Sequence, residues 1–250
     1  MISEINNKKN FSKTQQFYDK LLEDEDHYGA KKYKHGWAGN FHRYRIKLLR
    51  DIFLNTLHCQ KNTEILDIGS GVSMFGEIFP REKCPEITAF DIADVVIERG
   101  KKINPHIKFL VDDAQNPSLK GEWNVVFAGE IIEHLAKPEI ALKNWAKLVK
   151  KGGHLVVTTP NRFFNRKTQE HISLLTIGQM RKNLQELDFE ITQIIGIDIF
   201  NPLLDWFLNK IVERFPKFSR ISDRIFQIKM RLTYKLPWLA PDIIYVARKQ

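Results

Sequence analysis

From residue 64 onward, short apolar runs alternate with amphipathic helical segments, and this alternation constrains the fold more than any other feature of the sequence. The apolar runs predict strands at 64–68, 86–91, 107–111, 123–128 and 154–159, with two more at 189–196 and 243–248. The helical segments fall between strands, at 75–80, 93–102, 137–149 and 176–187. Such alternation predicts an α/β fold with a seven-stranded, mostly parallel sheet and helices on both faces.

The predicted α/β core carries two additional segments. Residues 1–60 are polar and helical in pattern, which predicts an N-terminal helical cap whose second helix spans 43–57, after a break at 35–42 rich in glycine, histidine and aromatic residues. Residues 199–241 predict an amphipathic helical insertion before the last strand. The core itself then comprises residues 61–198 and 242–250.

Composition excludes several classes of protein. With 43% hydrophobic and 28% charged residues among 250, the chain is neither intrinsically disordered nor collagen-like. Cys59 and Cys84 are too few for a disulfide framework or a four-thiolate zinc site, so we expect reduced thiols in a cytoplasmic protein. The N-terminus lacks an apolar segment and no stretch approaches the ~18 apolar residues of a membrane span, so we expect neither a secretory signal nor an integral membrane protein.

The most informative motif is a glycine-rich turn, Gly69–Gly71, which follows an apolar strand and precedes a helix. Glycines at such a turn let the backbone approach a ligand closely, and the helix N-terminus offers free N–H groups. The turn lacks the third glycine of a dinucleotide fingerprint, since Met74 stands there, and Asp67 would repel a pyrophosphate. The turn therefore favours a ligand with an amine and a ribose over one with a diphosphate.

Acidic residues end the next two predicted strands. Asp91 lies twenty residues beyond Gly71, where a carboxylate can accept hydrogen bonds from both hydroxyls of a ribose. Asp112 and Asp113 follow the third strand, where they could bind an exocyclic adenine amine. One Asp at a strand end is often only a helix cap, but acids at three successive strand ends together predict a nucleoside site.

These motifs resemble the class I S-adenosylmethionine-dependent methyltransferases over residues 40–198 and the last strand. The resemblance is closest to the branch whose fourth strand ends in E-x-x-E-H and whose fifth strand ends in T-P-N. That branch is similar to quinone O-methyltransferases. Those motifs stand here as Glu130-Ile-Ile-Glu133-His134 and Thr159-Pro160-Asn161, with Lys151-Gly152-Gly153 between them and a further similar segment at 171–180. The resemblance implies a Rossmann-like fold, S-adenosylmethionine as cofactor and methyl transfer as the activity.

The resemblance also implies a set of cofactor-binding residues. In chain order they are Asp67, Gly69, Ser70, Gly71, Asp91, Ile92, Asp113, Ala114, Ala128 and Glu130. The first acid and its glycines would flank the methionine moiety, and Asp91 would hold the ribose. Asp113 and Ala114 would bind the adenine, and the segment from Ala128 to Glu130 would lie beside the sulfonium.

Glu130, Glu133 and His134 are spaced so that they would share one face of a helical turn. They could provide ligands for a hard metal ion. Alternatively, His134 could act as a general base that the Glu133 carboxylate orients. His171, after the fifth strand, could reach the same pocket. By resemblance to quinone and small-RNA 2′-O-methyltransferases, all four would hold Mg²⁺ or another divalent cation that lowers the pKa of the acceptor hydroxyl. A purely structural role for the Glu–His pair is the third alternative.

The insertion carries much of the basic charge. Eight basic and three acidic residues lie between 200 and 241, so this segment holds more than half of the chain's net charge of +9. Apolar residues repeat there at helical spacing, first over 200–215 and again over 218–232. Three interpretations stay open: a lid or homodimer interface, an anionic membrane surface, and a nucleic-acid surface, which is disfavoured because the aromatics follow the apolar stripe.

The sequence therefore predicts an S-adenosylmethionine-dependent methyltransferase, O-directed, that acts on a small or lipid-linked acceptor in the cytoplasm or at the membrane periphery. One alternative is a metal-assisted RNA 2′-O-methyltransferase. Another is a non-catalytic S-adenosylmethionine-binding regulatory protein, against which the intact glycine turn and acid set weigh.

Overall fold

The computed structural model describes residues 15–16, 36–168, 170–197, 210–211, 214–215 and 219–250. Seven strands within these residues form one sheet, with the order β3-β2-β1-β4-β5-β7-β6. The strands are β1 Glu64–Ile68, β2 Glu86–Asp91, β3 Lys108–Val111, β4 Trp123–Gly129, β5 Val149–Pro160, β6 Phe189–Ile197 and β7 Asp242–Lys249. Strands β1 to β5 pair in parallel, and β7 pairs antiparallel with both β5 and β6. The predicted α/β class and mostly parallel seven-stranded sheet are confirmed.

Helices connect the strands at the predicted places. The described helices are α1 Gly36–Asp51, α2 Phe75–Ile78, α3 Asp94–Ile103, α4 Pro138–Leu148, α5 Ile177–Gln185 and α6 Ser219–Lys235. A π-helical turn, Ile52–Thr56, extends α1, and 3-10 turns lie at Arg81–Lys83, Ile132–His134 and Pro237–Leu239. A capping box begins α5, in which Thr176 accepts a hydrogen bond from the N–H of Gln179 and the Gln179 side chain accepts one from the N–H of Thr176.

Alternate side chains of the central strands enter two cores, one on each face of the sheet. Ile65 belongs to the first core, where Phe53 lies edge-on to Phe75 and to Phe127, with ring centroids 5.0 and 5.7 Å apart. Leu66, the next residue of β1, belongs to the second core beneath α4 and α5. The sheet is thus covered on both faces, and its free surface for a ligand is the edge where the parallel strands end.

Two sequence expectations about element boundaries are wrong. The expected break at 35–42 does not exist, because α1 begins at Gly36; Phe41 and Tyr44 pack against the first core and outweigh the low helix propensity of glycine. Strand β5 begins at Val149 instead of at residue 154. The residues of β5 that follow Val149 are polar or glycine and so do not show the apolar pattern of a strand; among them, Gly152 has φ of 75°.

The second half of the insertion leaves part of its predicted apolar stripe exposed. Helix α6 packs on β6, and among its described side chains Lys229 and Thr233 are buried. Ile228 and Leu232, two members of the stripe, are 58% and 46% exposed. Most of the first half, 200–215, lies outside the described residues. At its described end, Phe215 is exposed and Ile211 is half-buried.

Gly196 of β6 is where the insertion meets the sheet. A Cβ atom there would lie 2.5 Å from the Ala240 Cβ and 2.9 Å from both Pro237 Cα and the Thr233 carbonyl oxygen. Two of these three atoms are backbone, so they cannot move without shifting α6 and the turn that follows it. The close packing of α6 and the following turn on β6 therefore requires glycine at this position.

We predict that Gly196→Ala lowers the free energy of unfolding by about 1–3 kcal/mol, the usual cost of overpacking. The control is Gly178→Ala in α5, where a Cβ would come no closer than 4.0 Å to Thr176 Oγ1. That control should be neutral or slightly stabilising because alanine favours the helix. Urea unfolding of both variants makes the comparison, and equal stabilities would contradict the packing argument.

Candidate active site

The predicted site residues converge on the edge of the sheet where β1, β2, β4 and β5 end. The turn Gly69–Gly71 follows β1, and Asp91 is the last residue of β2. Glu130 follows β4, and Asn161 follows β5. Parallel strands place all their carboxyl ends at the same edge, so the topology alone brings these distant parts of the sequence together.

The glycine turn has a backbone that other residues adopt with strain. Gly69 and Gly71 have φ values of 62° and 55°. A Cβ on Gly69 would also lie 2.4 Å from Ile131 Cγ1, so the turn fits against the segment after β4 only as glycine. Ser70, between the two glycines, is half-buried and donates its N–H to the Phe90 carbonyl at 2.9 Å.

Asp91 ties this turn to the neighbouring strand. Its Oδ2 accepts a hydrogen bond from the Gly71 N–H at 3.0 Å, and its Oδ1 accepts one from the Ala93 N–H at 3.1 Å. Asp91 and the following Ile92 are partly exposed at the end of β2. The carboxylate therefore stands beside the glycine turn, where the predicted ribose contact requires it.

Asp67 is a buried acid directly behind the turn. It is 2% exposed, and Ser73 Oγ donates a hydrogen bond to its Oδ2 at 2.7 Å. Burial raises the pKa of the Asp67 carboxyl to about 7, with a further upward contribution from Asp91, while the Ser73 hydrogen bond lowers it. A positively charged group bound beside this carboxyl would favour its ionised form.

The two acids after β3 have different environments. Asp112 is buried and accepts hydrogen bonds from the backbone N–H groups of Ser118 and Leu119, at 2.9 and 3.2 Å, so it stabilises its own loop. Asp113 is half-buried, and its Oδ1 accepts from the Gln115 N–H at 2.8 Å. Ala114 is buried, and its carbonyl accepts from the Trp145 indole at 2.7 Å. Asp113 is therefore the acid of this pair that a ligand can reach.

The segment after β4 is not the helical turn that the spacing predicts. Glu130 has φ of 52°, in the left-handed region, and only Ile132–His134 form a 3-10 turn. The Glu130 carboxylate instead accepts a hydrogen bond from Thr158 Oγ1 at 2.6 Å. Ala128 is fully buried with its side chain in the second core, so Glu130 is the side chain of this segment that is partly exposed at the site.

Glu133, His134 and His171 form a compact cluster. One potential ligand atom from each lies within 4.8 Å of the others. Glu133 is 1% exposed, its Oε2 accepts from Thr159 Oγ1 at 3.1 Å, and its Oε1 has no hydrogen-bond partner. The His134 and His171 rings are 5.0 Å apart, nearly perpendicular. The structure thus brings together three of the four predicted metal ligands, while the nearby Glu130 carboxylate contacts Thr158 and Arg45.

The protonation of the cluster follows from its contacts. His134 Nδ1 lies 3.0 Å from the Glu170 carbonyl, which only accepts, so Nδ1 carries the proton and Nε2 has a free lone pair in the neutral ring. Burial lowers the pKa of His134, and His171 lowers it further. Burial also raises the pKa of Glu133 well above its usual range, with Glu130 contributing in the same direction. The cluster is built to receive positive charge.

Comparison with known proteins identifies the family. Residues 41–194, more than half of the chain, match the family model described as "Methyltransferase domain". The chain belongs to this methyltransferase family. It is 25% identical over 186 residues to the ubiquinone biosynthesis O-methyltransferase of Hydrogenovibrio crunogenus, covering 64% of this chain and 76% of that protein. It is also 25% identical over 191 residues to the mitochondrial ubiquinone biosynthesis O-methyltransferase of Schizosaccharomyces pombe, covering 66% of this chain and 69% of that protein.

Solved structures share the fold at low sequence identity. Magnesium protoporphyrin IX methyltransferase from Synechocystis, with S-adenosylmethionine bound, has a TM-score of 0.64 at 11% identity and covers 96% of this chain and 97% of that one. The cyclase SpnF has a TM-score of 0.56 at 18% identity and covers 86% and 83%. The predicted fold, enzyme class and cofactor are confirmed: the chain is an S-adenosylmethionine-dependent methyltransferase.

One side chain of the N-terminal helix also reaches the site of the methyltransferase. Arg45 of α1 extends to the site, where its Nη1 lies 3.9 Å from Glu130 Oε1 and its buried Nε has no hydrogen-bond partner. The guanidinium also lies over the Phe41 ring, 5.8 Å from its centroid. No motif marks Arg45, and only the packing of α1 against the first core brings it to the end of β4.

None of the helices within the described ranges is long and apolar enough to cross a bilayer.

We predict that cofactor affinity depends on the ionisation of Asp67. Because its pKa is about 7, raising the pH ionises the carboxyl and should strengthen binding of the cofactor's ammonium. The expected gain, measured by calorimetry, is several-fold from about pH 6 to about pH 7.5.

Two controls isolate this effect. Asp67→Asn keeps a side chain of the same size that can accept from Ser73 but does not titrate, so its affinity should be nearly independent of pH. Wild-type binding of 5′-methylthioadenosine, which lacks the amine, should likewise be flat. An equal pH dependence for both ligands would place the ammonium away from Asp67.

Proposed function

We propose that this methyltransferase transfers the methyl group to a hydroxyl oxygen of a small or lipid-linked phenolic acceptor. The observation that carries the proposal is the Glu133–His134–His171 cluster at the ends of β4 and β5, beside Glu130. Oxygen methylation requires loss of the hydroxyl proton, and a neutral imidazole with a free Nε2 beside a buried carboxyl suits that task. The relatives named for ubiquinone biosynthesis support an oxygen acceptor of the quinol type.

The cofactor fits the residues of the turn. Gly69 to Gly71 would flank its methionine moiety, and Asp67 would lie beside its ammonium. Asp91 with Ile92 would hold its ribose, and Asp113 with Ala114 would bind its adenine. Bound S-adenosylmethionine supplies an electrophilic methyl group on a sulfonium. Arg45, with its unpartnered Nε, would pair with the carboxylate of the methionine moiety.

A divalent cation fits the cluster on a structural observation independent of the resemblance. Glu133 Oε1 is a buried acceptor with no hydrogen-bond partner, and such a group is costly unless a ligand satisfies it. Glu133, His134 and His171 would hold the ion, and we propose that Glu130 reaches it only if Thr158 and Arg45 release the carboxylate. A cation there supplies a Lewis acid that lowers the pKa of the acceptor hydroxyl.

The acceptor and the insertion are linked in this proposal. A lipid-linked acceptor would be reached at an anionic membrane surface, to which the basic insertion contributes. The lid and homodimer interpretations of 199–241 stay predictions, since much of that segment lies outside the described residues. The division into cap, core and insertion likewise stays a proposal.

The activity is tested with the full chain, labelled S-adenosylmethionine and a panel of catechols and short-chain quinols. We expect label on oxygen, with each acceptor's methyl ether as the matched control that accepts none at that position. Transfer to nitrogen, carbon or RNA would contradict the proposal. Cofactor binding without transfer to any acceptor would favour the regulatory alternative.

The cluster is tested with Glu133→Gln combined with His171→Ala. We expect kcat to fall by about 10²-fold or more, with little change in cofactor affinity, because both residues belong to the cluster that removes the acceptor proton. His106→Ala, which removes an exposed imidazole between α3 and β3, is the matched control and should keep full activity.

A chelator then separates the two roles of the cluster. If a cation acts there, a strong chelator abolishes wild-type transfer and Mg²⁺ or Mn²⁺ restores it. If wild-type transfer survives the chelator, the cation assignment is wrong and His134 acts as a general base without one.

A further inference from the structure

We propose that a basic aromatic face beside the active site docks this protein on an anionic lipid bilayer. The docking face is defined by three parts: the loop 162–167 after β5, the turn Pro237–Leu239, and the outward side of α6 at Ile228 and Leu232. This proposal depends on the proposed function in one respect, which is that the acceptor is lipid-linked. The docking face extends the membrane surface predicted over 200–241 to the loop 162–167, which lies outside that segment.

The loop presents an apolar ring among cations. Phe163 is 76% exposed, and its neighbours Arg162, Arg166 and Lys167 are exposed as well. An aromatic ring exposed to this extent forgoes the free energy of burial unless something covers it. The arrangement matches the chemistry of a membrane interface, where aromatic rings enter the headgroup region and cations meet anionic lipid.

The loop and the turn are bonded to each other. The Asn161 N–H donates to the Pro241 carbonyl at 2.7 Å, and Asn161 Nδ2 donates to the Ala240 carbonyl at 2.9 Å. Asn165 Nδ2 also donates to the Pro241 carbonyl at 2.9 Å. Phe163 lies between these two asparagines in sequence. Its exposure therefore belongs to a loop that is fixed to the protein on both sides.

The turn and α6 extend the apolar surface. Trp238 is 55% exposed and Leu239 39% exposed, directly before the residues that bind the loop. On α6, Ile228 and Leu232 are one helical turn apart and exposed, each about 100° around the helix from the buried residue that follows it, and Lys235 shares their side of the helix. The aliphatic members offer no ring on which a base could stack, which favours lipid over nucleic acid.

Charge complementarity identifies the kind of bilayer. Segments 161–168 and 224–239 contain no acidic residue and seven basic residues, of which six are exposed and only Lys229 is buried. Each exposed basic residue near an anionic membrane strengthens binding to it, so a face of this composition discriminates between anionic and neutral lipid.

The face also adjoins the reactive cluster. The Thr168 hydroxyl accepts a hydrogen bond from the His171 N–H at 2.9 Å, and the His171 ring belongs to the cluster. One loop thus carries both Phe163 and His171, within nine residues. A bilayer that covers the first would bring the headgroup of a lipid-linked acceptor close to the second.

The test is flotation of the full chain with vesicles of phosphatidylcholine alone or mixed with phosphatidylglycerol, without cofactor or acceptor. We expect binding to the anionic vesicles only. Phe163→Ser with Trp238→Ser, and separately Arg162→Gln with Arg166→Gln and Lys167→Gln, should each weaken binding tenfold or more. The matched controls are Ile103→Ser with Ile140→Ser, and Lys102→Gln with Lys108→Gln and Lys120→Gln, which remove exposed apolar or basic side chains elsewhere.

A second readout does not depend on whether the multiple variants fold. Bromine-labelled lipid should quench wild-type tryptophan fluorescence, and the single change Trp238→Phe should remove most of that quenching. No flotation at low salt, unchanged flotation of the face variants, or displacement of bound protein from the vesicles by RNA would each overturn the proposal.

Activity separates this proposal from the proposed function. The face variants should transfer methyl to a water-soluble catechol at the wild-type rate, because none of their residues belongs to the site. Wild-type transfer with no vesicle binding would reject the docking face alone. Vesicle binding with no transfer to any oxygen acceptor would reject the proposed function and leave the face in place.

Discussion

The site depends on two carboxyl groups that the protein buries without a positively charged partner beside them in the described part of the chain. Asp67 and Glu133 are 2% and 1% exposed, and each receives one hydroxyl hydrogen bond, from Ser73 and Thr159. Burying an ionised carboxylate costs several kcal/mol, so both pKa values are raised instead. A positive ligand that restores the charge recovers part of that cost. In the proposed function, these two acids therefore serve a cationic cofactor on one side and, on the other, a divalent cation or the proton lost by the acceptor hydroxyl.

The sheet order divides the site between these two functions. Strands β2 and β3 lie on one side of β1, while β4 and β5 lie on the other, so the chain changes direction at the β1–β4 boundary. The cofactor acids belong to the first half and the Glu133–His134–His171 cluster to the second. Gly69 and Ile131 meet across the boundary, where even a methyl group on the glycine would overlap the isoleucine. This contact fixes the donor half against the acceptor half.

The sequence predicts what depends on local pattern and misses what depends on packing. The ends of β1 and β2, and hence Asp67 and Asp91, follow from apolar runs that stop at an acid. The left-handed backbone of Glu130 could not be predicted, because it is imposed by the contacts of β4 with β5 through Thr158. The exposed side of α6 could not be predicted either, because an apolar stripe at helical spacing does not show which of its residues another element covers.

The loop after β5 shows why function in this fold can change without change in its core. It begins at Asn161, whose amide and side chain are both used to hold the chain before β7, and it ends at a histidine of the reactive cluster. Between these fixed ends, exposed side chains such as Phe163 carry no packing role, so they are free to be selected for a surface. A basic aromatic loop there favours a lipid boundary, whereas a polar loop would suit a soluble acceptor. The His171 N–H is held by Thr168 and not by Phe163, so in the proposed function acceptor delivery and proton removal depend on different residues of one segment.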